Sequence, residues 1–153
     1  MRVSMNTRMR GILSPEQAQR TFGADPLAAG LRDELSQGFV VEQGCTFLSA
    51  SRAKPLSVKL TQLGDRTGME CFVNHVHLGD VCVGASAEEQ LLEAIRFAGA
   101  IDRLAEETPR RFIVSLSDDE CVVRFHQRRE GESWISDDLE RYPDEAIIVL
   151  DTP

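Results

Sequence analysis

This chain of 153 residues lacks the marks of membrane, secreted and disulfide-linked proteins. No apolar run reaches the roughly 18 residues that span a bilayer, and no apolar signal core follows the basic residues 1–10. Its four cysteines form no CxxC pair and fit no zinc-finger spacing, which favours buried thiols. We therefore expect a cytoplasmic protein that binds no membrane, with either Met1 or Met5 as its start.

The sequence motifs that identify common enzyme classes are also missing. The sequence contains no Gly-rich phosphate loop, no GxSxG nucleophile motif and no HExxH zinc motif. It shows no internal repeat and no linker, and its hydrophobic content of 42% with 27% charged residues is typical of a globular protein. A single domain over residues 1–153 is the prediction, with no cofactor.

Local sequence signals predict two helices near the start of the chain and six strands after them. Ser14 followed by Pro15 is a typical helix beginning, Gly23 and Pro26 interrupt the helical pattern, and Gly38 is a suitable stop. The predicted helices are 14–22 and 26–36. The predicted strands are 39–49 with a bulge at Gly44, 56–63, 69–78, 111–117, 121–128 and 146–151, with one helical turn after Ser136.

The most distinct element is a long helix over residues 86–107. Ser86 and Glu89 form a capping box at its start, and apolar residues recur at helical spacing along one face. Gly99 in the middle of this helix predicts close packing against a neighbouring element.

Strand pairs joined by short turns favour antiparallel pairing, and the long helix provides a second layer. Residues 56–63 and 69–78 flank the turn 64–68, and residues 111–117 and 121–128 flank a second acidic turn. The continuous apolar run 146–151 predicts a strand covered on both faces. The sequence thus predicts an α+β two-layer sandwich with a mostly antiparallel sheet of about five or six strands.

Two of the three histidines lie in the stretch CFVNHVHLGDVC, residues 71–82. On a strand, His75 and His77 project to one face while Val76 projects to the other, which is the better core face. His126 falls on the equivalent face of its own predicted strand. The preferred interpretation is that these are polar residues on the open face or edge of a sheet.

An alternative interpretation is a metal-dependent or His-dependent hydrolase. If the two strands were neighbours, His75, His77 and His126 could supply three imidazole ligands to zinc, with water as the fourth ligand. The positive charges of Arg124 and Arg128 on the face of His126 oppose a bound dication. We therefore expect neither a catalytic residue nor a metal site.

The net charge of −8 is unevenly distributed along the chain. Residues 118–153 contain 11 acidic and 4 basic residues, a net charge of −7, whereas residues 1–117 carry a net charge of only −1. A one-sided negative field attracts a basic partner and repels nucleic acid, and the short basic clusters provide no broad nucleic-acid surface.

Seven carboxylates crowd around the only tryptophan and the only tyrosine between residues 130 and 145. Trp and Tyr are favoured interface anchors, and surrounding carboxylates steer a basic partner. The alternative, without a binding role, is a solvated acidic loop whose Trp covers the edge of the core. The predicted partner-binding residues are Glu130, Glu132, Trp134, Asp137, Asp138, Glu140, Tyr142, Asp144 and Glu145.

With GESWISDDLERYPDEAIIVLD and NHVHL in a small, acidic, single-domain α+β chain, the sequence resembles bacterial immunity proteins of polymorphic-toxin and contact-dependent growth inhibition systems. This resemblance implies a tight complex with a cognate toxin domain, often a basic nuclease whose site the acidic surface covers. The predicted function is inhibition of such a toxin by direct binding.

Self-association is the remaining alternative, through the helix 86–107 or a sheet edge. The sequence leaves the oligomeric state open.

Overall fold

The chain folds around a five-stranded antiparallel sheet, in a computed structural model that describes residues 1–105, 108–118 and 120–153. Its elements, in chain order, are β1 Arg2–Met5, α1 Thr7–Arg10, α2 Pro15–Phe22, α3 Ala29–Ser36, β2 Phe39–Glu42, β3 Cys45–Leu48, α4 Ser49–Arg52, a 3-10 turn Leu60–Gln62, α5 Arg66–Val73, β4 His75–His77, α6 Leu78–Val81, α7 Ala87–Leu104, β5 Arg110–Leu116, β6 Cys121–Gln127, a 3-10 turn Leu139–Arg141 and β7 Ala146–Asp151.

The strand order in the main sheet is β1-β7-β5-β6-β4, and every pairing is antiparallel. The C-terminal strand β7 lies between the N-terminal strand β1 and β5, with Arg2 opposite Asp151 at the start of β1. Strands β2 and β3 form a separate hairpin, turned by Gln43 and Gly44, which both have positive φ. The predicted α+β fold with a mostly antiparallel sheet is confirmed.

Helix α7 covers the first face of the sheet. Its capping box at Ser86 and Glu89 is present as predicted. The apolar stripe of the helix is buried against the sheet residues Phe112, Val114 and Phe125 in the main core. Because the chain itself buries this stripe, the apolar face of α7 is not available for self-association. The helix ends at Leu104, and residues 106 and 107 of the predicted span lie outside the described residues.

The second face of the sheet is also apolar and also covered. All six residues of β7 are buried, which confirms the predicted strand with two covered faces. Ile113, Ile147 and Val149 form a second core on this face with Leu139, a residue of the segment that connects β6 to β7.

The predicted hairpin of residues 56–63 and 69–78 is wrong. Residues 56–63 contain only a 3-10 turn, and residues 66–73 form α5. Asp65 caps this helix by accepting a hydrogen bond from the Gly68 amide at 2.7 Å. Met69, Phe72 and Val73 share one helical face against a small core, so the apolar spacing is helical rather than alternating. Of the predicted strand, only β4 remains.

Two smaller predictions also need correction, and two short elements at the start of the chain were not predicted. The predicted strand 39–49 is the hairpin β2–β3, and Gly44 lies in its turn rather than in a bulge. The predicted second helix begins at Ala29 rather than at residue 26. β1 and α1 were not predicted; they are four-residue elements with little periodic signal, and tertiary pairing and the Asn6 cap stabilise them.

Gly99 marks the closest approach between α7 and α2, as the sequence predicted. A Cβ atom on Gly99 would lie 1.7 Å from the carbonyl oxygen of Phe22, which is the last residue of α2. No other residue type fits this contact unless the two helices move apart.

We expect Gly99→Ala to destabilise the protein by at least about 1–3 kcal/mol, because the methyl group overlaps backbone atoms that cannot rotate away. Gly79→Ala is the matched control, since nothing lies within 4 Å of the Cβ position of Gly79. The control should be neutral or slightly stabilising. Melting temperatures of the two variants test this, and equal effects would show that the helices are not in this contact.

Candidate functional site

The predicted binding residues lie on one continuous segment, residues 130–145, which we call the acidic segment. It runs from the end of β6 to the start of β7 and crosses the second face of the sheet. Ile135, Leu139 and Tyr142 from the segment pack on the second core of Ile113, Ile147 and Val149. The segment therefore has an apolar underside, which stabilises it through buried area.

A buried ion pair fixes the beginning of the acidic segment. The Glu70 carboxylate of α5 is fully buried, and the guanidinium of Arg129 donates to its two oxygens at 2.8 and 2.9 Å. The backbone amides of Thr46 and Gln127 donate to the same oxygens at 2.7 and 2.8 Å. The hydrogen bonds that Arg129 donates to Glu70 raise the pKa of Arg129. Because both carboxylate oxygens are satisfied, the charge is stable inside the protein.

Glu132 provides a second attachment to α5. Its carboxylate accepts a hydrogen bond from the Thr67 amide in the first turn of that helix, at 3.0 Å. Burial alone would raise the pKa of Glu132, but the hydrogen bonding to Thr67 and the charges of Arg129 and Arg66 lower it. A carboxylate at a helix N-terminus also interacts favourably with the helix dipole.

Arg111 of β5 holds the middle of the acidic segment. It pairs with Asp151 of β7 at 2.7 Å and with Asp137 of the segment at 3.2 Å. Hydrogen bonding to Asp151 is the main reason that the pKa of Arg111 is raised. Asp151 is buried whereas the side chain of Asp137 is 89% exposed, so the bond to Asp151 is the stronger of the two.

Asn6 fixes the end of the acidic segment from the opposite end of the chain. Its side-chain amide donates to the carbonyl oxygens of Tyr142 at 3.2 Å and of Glu145 at 2.7 Å, while its side-chain oxygen accepts from Ile147 at 3.1 Å. Next to it, the Glu140 carboxylate accepts hydrogen bonds from the amide and hydroxyl of Thr7 at 2.8 and 2.9 Å.

Two further predicted residues have roles inside the segment. The hydroxyl of Tyr142 accepts a hydrogen bond from the Ser136 amide at 3.0 Å. Asp138 caps the 3-10 turn through the Glu140 amide at 3.2 Å, so the predicted helical turn after Ser136 is present in 3-10 form. Tyr142 is thus held by the fold, and its contact with a partner stays a prediction.

Four predicted residues face solvent without such roles. Trp134 is 40% exposed, the most exposed aromatic side chain in the described part of the chain. Among described residues, the exposed carboxylates of Glu130, Asp144 and Glu145 form no hydrogen bond or ion pair. These three side chains are therefore exposed and make no polar contact inside the described part of the chain.

The three histidines share the second face of the sheet but do not form one site. His75 and His77 lie on the edge strand β4, with ring centroids 5.0 Å apart. His126 of β6 lies opposite Arg111, on the other side of Arg124, and does not line the cleft beside β4. Within residues 1–105, 108–118 and 120–153, no three histidine, cysteine or acidic residues are arranged to hold a metal ion. The alternative three-histidine zinc site is therefore wrong.

His126 is buried near Glu70 and Arg129. Its Nδ1 donates to the carbonyl oxygen of Gln127 at 2.8 Å, and its Nε2 has no hydrogen-bond partner. Burial is the main reason that the pKa of His126 is lowered. The charges of Arg111 and Arg129 also lower it, whereas the hydrogen bond to Gln127 and the charge of Glu70 raise it. His126 is therefore neutral at pH 7.

One family of proteins matches nearly the whole chain. The sequence model of the Uncharacterized protein PM0498 family matches residues 4–153. The chain belongs to this family. No curated protein matches the chain, and no solved structure does. The family match includes both the main sheet and the acidic segment. In this family member, no helix within the described residues has the length and apolar character needed to cross a membrane.

The residues that hold the acidic segment were not predicted from the sequence. Glu70, Arg111, Arg129 and Asn6 are single polar residues in otherwise ordinary elements, and their contacts described above join residues 24 to 141 positions apart. One sequence signal was usable: a Glu at position 70, amid the apolar run 69–73, predicts a buried charge that needs a partner.

We expect Arg129→Met to cost about 3–5 kcal/mol of unfolding free energy, because it leaves the buried carboxylate of Glu70 without its counter-charge. Arg128→Met is the matched control, since Arg128 is 46% exposed and lies 3.9 Å from Asp151. It should cost less than about 1 kcal/mol. Urea denaturation compares the two variants. Similar losses of unfolding free energy would mean that the buried ion pair stabilises the protein no more than the exposed Arg128 does.

We also expect His126 to make the protein less stable in mild acid. Because its folded-state pKa is lowered from 6.5, the unfolded chain binds the proton more tightly, so stability is complete above pH 6.5 and falls below it. His126→Asn keeps a donor at the Nδ1 position and removes the titration. Urea denaturation at several pH values below 6.5 should show a shallower loss of stability for this variant. Parallel pH profiles for the two proteins would contradict the prediction.

Proposed function

We propose that this chain is a binding protein that inhibits a basic protein partner, with the acidic segment as its docking surface. The partner we expect is the toxin domain of a bacterial competition system, of the nuclease kind, to which this chain would act as the immunity protein. The carboxylates would occupy the surface that the partner uses for an anionic substrate.

The observation that carries the proposal is that internal contacts attach the acidic segment along its length, while the exposed carboxylates of Glu130, Asp144 and Glu145 make no such contact among the described residues. Ion pairs and hydrogen bonds fix the segment at its beginning, middle and end, through Arg129, Arg111 and Asn6. A surface that is already ordered loses little conformational entropy when a partner binds.

The chemical character of the exposed groups supports a basic partner. Trp134 offers a large ring at low entropy cost, and Glu130, Asp144 and Glu145 offer charges without internal partners. The carboxylates of Glu132, Asp137, Asp138 and Glu140 are engaged in the fold, so we assign them to the shape of the surface rather than to its affinity.

A cytoplasmic location is part of this proposal. All four cysteines are free, buried thiols. Burial is the main reason that the pKa of Cys121 is raised to about 12, so this thiol stays protonated and unreactive. Free thiols of this kind suit a reducing compartment.

The test is to capture the partner on the full chain and then measure binding of the purified pair. The anchor variant is Trp134→Ala. The charge variant combines Glu130→Gln, Asp144→Asn and Glu145→Gln, which leaves every internal attachment intact. The control variant removes three charges elsewhere, with Asp33→Asn, Glu88→Gln and Asp102→Asn.

We expect the charge variant to bind about tenfold more slowly than wild type, with a weaker dependence of the association rate on salt. The anchor variant should lose about 2–4 kcal/mol of binding free energy, mostly through faster dissociation. The control variant should behave as wild type. If the control and charge variants slow association equally, or if Trp134→Ala leaves the dissociation rate unchanged, the acidic segment is not the docking surface.

A further inference from the structure

A cleft of about 310 Å³ lies beside the edge strand β4, in a part of the molecule that the proposed function does not use. His75 and His77 line it together, with Leu56 and Val81 among its apolar walls. Both histidines project from one face of β4, because they occupy alternate positions of the strand. We propose that this pair of imidazoles binds one divalent transition-metal ion, with Zn²⁺ as the expected ion.

Each ring has its Nδ1 atom held by an acceptor. Nδ1 of His75 donates to the carbonyl oxygen of Phe72 at 2.5 Å, and Nδ1 of His77 is bonded to the Glu120 carboxylate. Metal-binding histidines typically show this arrangement, in which a carbonyl or carboxylate fixes the tautomer and leaves Nε2 as the ligand atom. No residue in the described ranges forms a hydrogen bond with Nε2 of His75 or His77.

The separation of the rings fits a shared ion. With a Zn–N bond of about 2.0–2.1 Å and about 1.1 Å from Nε2 to the ring centre, two imidazoles on a tetrahedral ion have centroids about 5 Å apart. The observed centroid distance is 5.0 Å.

A buried hydroxyl supplies a second indication of a ligand. Ser51 lines the same cleft, is only 4% exposed, and its Oγ has no hydrogen-bond partner. A buried hydroxyl without a partner is costly, and a water molecule bound to the metal ion would satisfy it.

The charges near the cleft are close to balanced. Lys54 pairs with Glu34 at 3.5 Å, and Arg124 lies opposite His75 in the sheet. Asp80 lines the cleft, and Glu120 bonds His77. The chain provides only two ligands, so water or a ligand from outside the chain would fill the other positions. Such an open site is more accessible than a structural zinc site.

The test is calorimetric titration of the tag-free full chain with Zn²⁺ at neutral pH, together with imidazole ¹⁵N spectra of the wild-type protein. We expect one bound ion per chain, and Nε2 resonances of His75 and His77 that shift while those of His126 do not. His75→Ala and His77→Ala should each abolish the shift of the remaining ring and lower the affinity at least tenfold.

Glu120→Ala should weaken Zn²⁺ binding about 10–100-fold without removing a ligand, because it releases Nδ1 of His77. Glu130→Ala is its control, with the same loss of charge on the acidic segment. Zn²⁺ binding that survives the double change His75→Ala and His77→Ala, or that is lost equally in Glu130→Ala, overturns the proposal. The proposal is also overturned if no saturable binding is found, or if the ion shifts the Nδ1 resonances instead of the Nε2 resonances. The charge variant of the acidic segment should bind Zn²⁺ normally, so this test is independent of the proposed function.

Discussion

The central sheet is apolar on both faces, and this constraint determines where the acidic segment lies. All six residues of β7 are buried, and Ile113 of β5 is buried on the same second face as Ile147 and Val149. Helix α7 can cover only one face. The chain between β6 and β7 must therefore fold back over the other, and it does so with Ile135, Leu139 and Tyr142. The most acidic part of the chain thus becomes a structural layer.

Buried polar contacts then fix that layer in one position. The Glu70 carboxylate accepts hydrogen bonds from β3, from β6 and from Arg129. Asn6 joins the start of the chain to the end of the acidic segment. Satisfied polar groups inside a protein specify a single arrangement more strictly than apolar contacts do. Several carboxylates of the segment are used in this way. The carboxylates of the segment without a contact inside the described part of the chain are consequently fewer than the seven that the sequence contains.

Local signals predicted some elements well and failed for others, for identifiable reasons. Helix α7 and strand β7 were predicted because a capping box, helical spacing and a continuous apolar run are local properties. The close packing at Gly99 was inferred from one unfavourable residue. Helix α5 was not predicted because Phe72 and Val73 have high β propensity, which obscures the signal of the Asp65 cap.

Partner binding by the acidic segment stays a prediction, and only the position of this candidate site could be inferred from the sequence. Its position between residues 130 and 145 follows from charge and aromatic residues, which composition reveals. Which carboxylates face solvent depends on contacts such as Glu70 with Arg129, 59 positions apart, and no local pattern encodes them. The same holds for the histidines: alternation placed all three on one face, but only the strand register separates His126 from His75 and His77.

Amide hydrogen exchange across the acidic segment tests the central claim most directly, because that claim is that the segment is already ordered before any partner binds. The amides of Ser136 and Tyr142 have acceptors within the segment, in the Tyr142 hydroxyl and the Leu139 carbonyl. Our account predicts that both exchange slowly, with protection that approaches that of β7. Exchange of these amides at the rate of an unstructured peptide, while β7 stays protected, would contradict it.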